Sequence, residues 1–353
     1  MFSLTREAAC SCWIPISIAP DVAGGDQTTK LAQSEVFEDN SSWTGAVVRT
    51  TVSIGDGAAA VTATGINAAV AYEQSGDVFG AADGVLGLAY AALDDAYEMP
   101  ADTWSQRYTV AKVKEGRATT IPPYLTQLAK EGIVSDKIAF YTRRSLVHQG
   151  GGGAKDPLNH GWMIVGGGEE SKDLYAGTFQ TAKILAEDWY STNLKAVIVG
   201  DTLAIPVRAR GKKGTLSNSI VDSGTNSLDL GRQLRRLMLS KFSTSQQALL
   251  SASISEDPDN DNRPVAMTKL DLATWPDITF VLQGVDADVR LRVSPTDYWQ
   301  VNAPKVGAAT AAITAGEDGS TILGLPLMNG YFTIFDGEAD GGKGVIKFAT
   351  SKR

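Results

Sequence analysis

Cysteine is nearly missing from this chain, and that is the first constraint. Only Cys10 and Cys12 occur, one residue apart. A bridge between them would close a strained small ring and no other partner exists, so no disulfide staples the fold. Their scarcity says that folding does not depend on an oxidising compartment, and no more. Histidine is equally scarce: His148 and His160 flank QGGGGAKDPLNHG, a tract that reads as an exposed loop. Without a Cys/His cluster to complete a metal site, the CxC pair reads as two buried thiols. HExxH, GxSxG and the P-loop lysine motif are absent, so zinc proteolysis, serine-hydrolase and nucleotide chemistry lack their residues. VGGGEE at Val165–Glu170 is too short for a dinucleotide loop and reads as a turn between strands. No segment reaches the roughly 18 apolar residues of a membrane span. The net charge of −8 leaves nothing to neutralise phosphates, which argues against nucleic acid. GKKG at Gly211–Gly214 reads as a solvated hairpin tip.

What is present is a soluble globular composition, with 43% hydrophobic and 20% charged residues. Its length allows two lobes, each with its own core. Glycine (36) and proline (13) are scattered without repeat, the mark of many short strands and turns. Arg6 followed by AACSCWIPISIA resembles a short signal-peptide n-region and h-region, but Trp13, Pro15 and the cysteines fit that poorly.

Period-2 and short apolar runs dominate the chain. AVVRTTVSIG (Ala46–Gly55), AAVTAT (Ala59–Thr64) and NAAVAY (Asn67–Tyr72) read as strands separated by glycine turns. IPPYLTQLAKEGIV reads as a helix that starts at Pro122–Pro123, buries Leu125, Leu128 and Ala129, and stops at Gly132. KIAFYT, HGWMIVGG, GTFQTAKI, NLKAVIVGD and LAIPVRA read as strands. A second helix, LGRQLRRLMLSKF, is amphipathic through Leu234, Leu237, Met238 and Phe242, and SISEDPDNDNRP reads as an acidic surface loop. Strands return at DITFVLQG, DVRLRVS, STILG, YFTIFD and GVIKFAT. The change near Tyr175–Gly177 divides the chain into lobes 1–175 and 176–353.

One stretch carries chemistry. In SIVDSGTNSLDL (Ser219–Leu230), an apolar strand runs into Asp222 and then a Ser-Gly turn, which presents one carboxylate at the end of a buried strand. Such carboxylates work in pairs. Two of them close together cannot both ionise, so one holds a proton while the other acts as base on a water.

Around this stretch the chain resembles the pepsin-like aspartic peptidases, over nearly its whole length and in the right order. VDSGT (Val221–Thr225) resembles the C-terminal-lobe active-site motif, with Ser223 where threonine is commoner. ADGVLGLAY (Ala82–Tyr90) and STILGLPLMNGYFTIFD (Ser320–Asp336) resemble the two segments that complete psi-shaped loops, with Leu325 where an aspartate is usual. MIVGGGEESKDLYAGTF resembles the crossing between lobes, EDNSSWTG (Glu38–Gly45) the flap hairpin, and WIPI (Trp13–Ile16) the run after the first catalytic turn. The resemblance implies an all-β, bilobal pepsin-like fold with a few short helices and a cleft between lobes. It also implies endopeptidase activity without metal or organic cofactor, acting as a monomer that holds a polypeptide substrate or protein ligand in the cleft. Relatives are secreted or vacuolar/lysosomal. Asp222 would be catalytic, with Ser223, Gly224 and Thr225 supporting its turn. Phe37, or Glu38 without a one-residue insertion, takes the place of the flap tyrosine that would bond Trp13. Phe37 as a plain hairpin core residue is the alternative.

The resemblance fails at the second carboxylate. Counting back from Trp13, the first catalytic aspartate falls on Arg6, and REAACSC stands where D-T-G-S-S is expected. Glu7 lacks the turn glycine and hydroxyl. Five residues precede Arg6, where the family carries the early strands of the N-lobe. The expectation is therefore a truncated start, with the first N-lobe strands missing and the chain inactive as written. The alternative is a catalytically dead scaffold that binds or inhibits another protein.

Overall fold

The computed structural model describes residues 2–5, 16–17, 25–37, 41–55, 60–76, 78–79, 82–207, 217–256 and 262–352. They fall into two compact units, one running to Ser135 and the other starting at Asp136. Strands dominate both, and the helices are short.

The first unit contains β1 (Phe2–Thr5), β2 (Ile16–Ser17), β3 (Gln27–Val36), β4 (Ser42–Ile54), β5 (Val61–Ser75), β6 (Ala82–Leu86), β7 (Asp95–Glu98) and β8 (Arg117–Thr120). Its main sheet has the order β2-β4-β3-β7-β8, with β5 also paired to β4. In β4 the consecutive residues Ala46, Val47 and Val48 are buried, as a strand covered on both faces requires. The two strands expected at 59–64 and 67–72 are one strand, β5. Gly65 does not turn the chain; at φ +70° it forms a bulge, where the register shifts between Thr50 and Val52. Helix α1 (Val110–Lys114) and helix α2 (Tyr124–Lys130) pack on this unit. Pro123 occupies the N-cap position of α2, and Leu125 and Leu128 are buried beneath the helix. Gly132 ends it as expected, at φ +70°, with Gly132 N–H donating to Ala129 and Ile133 N–H to Leu128, a complete Schellman closure.

The second unit begins with β9 (Lys137–Tyr141), β10 (Trp162–Val165), β11 (Tyr175–Lys183), β12 (Ser191–Thr192), β13 (Leu194–Val199), β14 (Ile205–Pro206), β15 (Ser219–Val221) and β16 (Leu228–Gly231). After helices α3 (Arg232–Leu239) and α4 (Thr244–Ser253) come β17 (Val265–Ala266), β18 (Ile278–Leu282), β19 (Val289–Val293), β20 (Trp299–Val301), β21 (Ala308–Ala311) and β22 (Ile313–Gly316). It closes with β23 (Thr321–Leu323), β24 (Tyr331–Asp336) and β25 (Val345–Ser351). One sheet has the order β10-β9-β24-β25-β11, and its core gathers Ala139, Tyr141, Tyr175, Phe332, Ile334 and Ala349. Residues 137–165, read from the sequence as the end of the first lobe, contribute β9 and β10 to this sheet, with β9 hydrogen-bonded to β24 from Lys137 to Tyr141. The remaining sheets are β12-β15-β23-β16-β22, β14-β13-β18-β19 and β17-β21-β20.

One local expectation is corrected here and two are refined. Helix α3 buries Met238 as expected, and Phe242 just past its end, but Leu237 is exposed and Arg235 takes its place inside. Arg235 can be buried because its guanidinium meets Glu256 through two bonds, at 3.2 and 2.6 Å. The glycine-rich tract after His148 is exposed along most of its length, as expected, but Asp156 and Asn159 within it are buried. The acidic loop is stitched down at its described end: Asn262 donates to the carbonyls of Ala311 and Ile313 and accepts from Ser255 N–H. Helix α4 was missed, although Ser243 and Gln246 form a capping box that the sequence displays.

Candidate active site

The turn at Asp222 owes its form to three strands. β15 leads into it and β16 leaves it, so the two would ordinarily form a hairpin. Instead β23 lies between them, parallel to β15 (Ile220 opposite Ile322, Val221 opposite Leu323) and antiparallel to β16. Val221, Leu228, Leu230 and Leu323 are buried, which holds the strands while the turn between them projects. The turn is tied to the end of β23: Asp222 N–H donates to Leu323 at 3.1 Å, Leu325 N–H to Thr225 at 2.8 Å and Gly324 N–H to Ser227 at 3.2 Å. A Cβ on Gly324 would lie 2.2 Å from the Thr225 carbonyl oxygen and 2.4 Å from that of Ser227, so only glycine fits.

The same turn orients the carboxylate. Gly224 N–H donates to Asp222 Oδ1 at 2.8 Å, and the Thr225 hydroxyl donates to Oδ2 at 2.7 Å. Each oxygen thus has its own donor within three residues, and the carboxylate plane is held by one backbone N–H and one hydroxyl. Asp222 is half-buried, Ser223 is buried, and the Ser227 hydroxyl bonds Thr314 on β22 at 2.9 Å. Sequence reading found Asp222, Ser223, Gly224 and Thr225 together, and the structure places them in one turn.

A family model of the eukaryotic aspartyl protease matches residues 27–349. The chain belongs to the eukaryotic aspartyl protease family. The match begins at Gln27, so the WIPI run lies ahead of it. No curated protein matches the chain.

The other expected aspartyl protease residues are placed less completely. Phe37 sits where β3 turns into β4, half-buried, its N–H donating to Ser41 at 2.9 Å. Glu38 lies outside the described residues, as do Trp13, Arg6, Glu7, Cys10 and Cys12. The segment corresponding to β23 in the first unit is β6, and it pairs antiparallel with β1: Phe2 opposite Leu86, Leu4 opposite Gly84. Among the described residues nothing lies within 4 Å of a Cβ built on Gly87, the counterpart of Gly324.

Two groups of charges escaped sequence reading. In the first unit, burial pushes the Asp94 carboxyl up to about 6, with Gln33 hydrogen-bonded to it and Asp95 and Glu35 nearby. Burial also raises Glu35. In the second unit, Asp336 and Glu169 meet Lys137 and Lys347, with Lys347 Nζ 2.6 Å from Asp336 and 2.7 Å from Glu169. Burial pushes the Asp336 carboxyl up, but the lysine hydrogen bonds outweigh it and hold the group below the usual carboxylate range. Among the described residues, no cluster of three or more His, Cys, Asp or Glu could hold a metal ion, and no helix is long and apolar enough to cross a membrane.

Proposed function

We propose that Asp222 is one carboxylate of an aspartic endopeptidase site, and that the 353-residue chain by itself hydrolyses no peptide. The observation that carries the reading is the Asp222 turn, with a separate donor on each carboxylate oxygen and its neighbours threaded against β23. In the chemistry of this family, a charged carboxylate takes a proton from water while a protonated one polarises the peptide carbonyl. The water attacks the carbon, and the proton taken up passes to the leaving nitrogen as the bond breaks. A single carboxylate can serve as base or as acid, but not as both at once. Ser223 would bond across to the opposite turn, and Phe37 would cover a hydrophobic side chain beside the scissile bond.

The second turn is what the chain lacks. Asp-Ser-Gly occurs once, at Asp222–Gly224, and Asp-Thr-Gly does not occur. Arg6 stands in register with the first aspartate and cannot act as an acid or base. The second reading, a scaffold that binds a polypeptide without cutting it, is favoured by that same arginine. Restoring the turn separates the two. The variant Arg6→Asp/Glu7→Thr/Ala8→Gly should cleave a denatured protein in acid, and Asp222→Ala in that background should abolish the cleavage. A folded triple variant that binds peptide yet never cuts it would favour the scaffold.

A further inference from the structure

Residues after β9 do not wander as their glycines suggest; they run alongside β20. Arg144 Nη2 donates to the Val301 carbonyl at 2.6 Å, Ser145 and Leu146 N–H donate to Gln300 Oε1 at 3.0 and 3.2 Å, and Gln149 N–H donates to Asn302 at 2.9 Å. Between these strands of contact sits His148, its imidazole only 13% exposed. Nδ1 bonds the buried Asp156 carboxylate, and Nε2 lies 3.0 Å from Asn302 Nδ2. Asn159 closes the loop by accepting from His148 N–H at 2.7 Å and donating to the His148 and Gly153 carbonyls. The glycine run follows from this packing. A Cβ at Gly150 would lie 3.0 Å from Asn302 Nδ2, and one at Gly151 would lie 1.9 Å from Asp156 Oδ2.

The direction of each bond is decided by its neighbours. Asn302 sits at φ +53° at the head of the 302–307 turn, and its Oδ1 accepts from Gly307 N–H at 2.9 Å. The amide therefore offers Nδ2, a donor, to the histidine. With Nδ1–H given to Asp156, His148 Nε2 must accept, which only the neutral ring can do. Protonation sets N–H against N–H₂. Either the ring and the amide separate, or the amide flips and Gly307 N–H then faces a donor. The His148–Asp156 bond becomes an ion pair at the same moment and is kept. The nearby charge is Arg144, already bonded to the Leu146 and Val301 carbonyls and electrostatically coupled to Asp156 and Asp297; Lys305 on the turn is exposed.

We propose that His148 is a proton-operated latch: neutral, it fastens the 148–160 loop to the Asn302 turn, and protonated, it keeps Asp156 and lets the turn go. The latch opens when the ring takes a proton. Only two histidines occur, so His160→Gln leaves one imidazole whose titration is followed by NMR in the full chain. As His148 protonates, the hydrogen-exchange protection of Gln149 and Gly307 should fall about tenfold, the equivalent of one net hydrogen bond, after correction for intrinsic exchange. Asn302→Asp offers the protonated ring an acceptor and still receives Gly307 N–H. It should remove that fall and move the His148 midpoint upward. Protection at Gln149 and Gly307 that ignores the charge of His148 would overturn the latch, as would a fall that survives unchanged in Asn302→Asp.

Discussion

VLGL at Val85–Leu88 and ILGL at Ile322–Leu325 are nearly the same words in different company. In the second unit the segment enters as β23, parallel to β15, and its glycine is pressed against the carbonyls of Thr225 and Ser227. In the first unit it is β6, antiparallel to β1, and a Cβ on its glycine meets no described atom within 4 Å. In the second unit the glycine answers to the aspartate turn that threads over it. The units differ in charge as well. The first half-buries Asp94 beside other acids, while the second surrounds Asp336 with two lysines.

Adding a methyl group breaks the comparison most sharply. Gly324→Ala should cost the second unit about 3 kcal/mol or more, because backbone and not a flexible side chain stands in the way, and urea unfolding would show it. Asp336→Asn comes next. It leaves Lys137 and Lys347 facing one carboxylate fewer and should destabilise by about 3 kcal/mol at neutral pH. Since Asp336 titrates lower when folded than unfolded, its contribution is present above about pH 4 and lost as pH falls below it, so the variant and parent should converge in acid.

Asp94→Asn should act in the opposite sense. The folded carboxyl, at about 6 against an ordinary 3.8, holds its proton more tightly than the unfolded one. Its stability is complete below about pH 4 and is lost as pH rises through 6. The asparagine variant should match the parent in acid and exceed it by about 2 kcal/mol at pH 7, read from melting at both pH values. Smallest of all is Gly87→Ala, expected within about 0.5 kcal/mol of the parent. A loss there as large as at Gly324 would mean that a turn packs on Gly87 after all.

Much of this was legible in the sequence for a physical reason. Asp222, Ser223, Gly224 and Thr225 lie within one turn, so the motif is written in adjacent letters; β4, β18, β24 and β25 follow short apolar runs, and β19 follows a period-2 alternation. What escaped was set by distant partners. Gly65 looks like a turn until β4 is laid beside it and makes it a bulge. Arg235 looks solvated until Glu256 arrives from beyond the next helix. The run Gly150–Gly153 looks like a plain exposed loop until Asp156 and Asn302 are found packed against its first glycines. Helix α4 was readable and overlooked, since its capping box is local.

The central claim, that Asp222 is an intact half of a two-carboxylate site, meets its most direct test in the 353-residue chain itself. Pure protein of verified sequence is incubated with a denatured protein across the acid range, in parallel with Asp222→Ala, and new termini are counted by mass spectrometry. The account predicts no cleavage by either. Cleavage by the parent that Asp222→Ala abolishes would contradict it, because a second acid would then have to be working opposite Asp222.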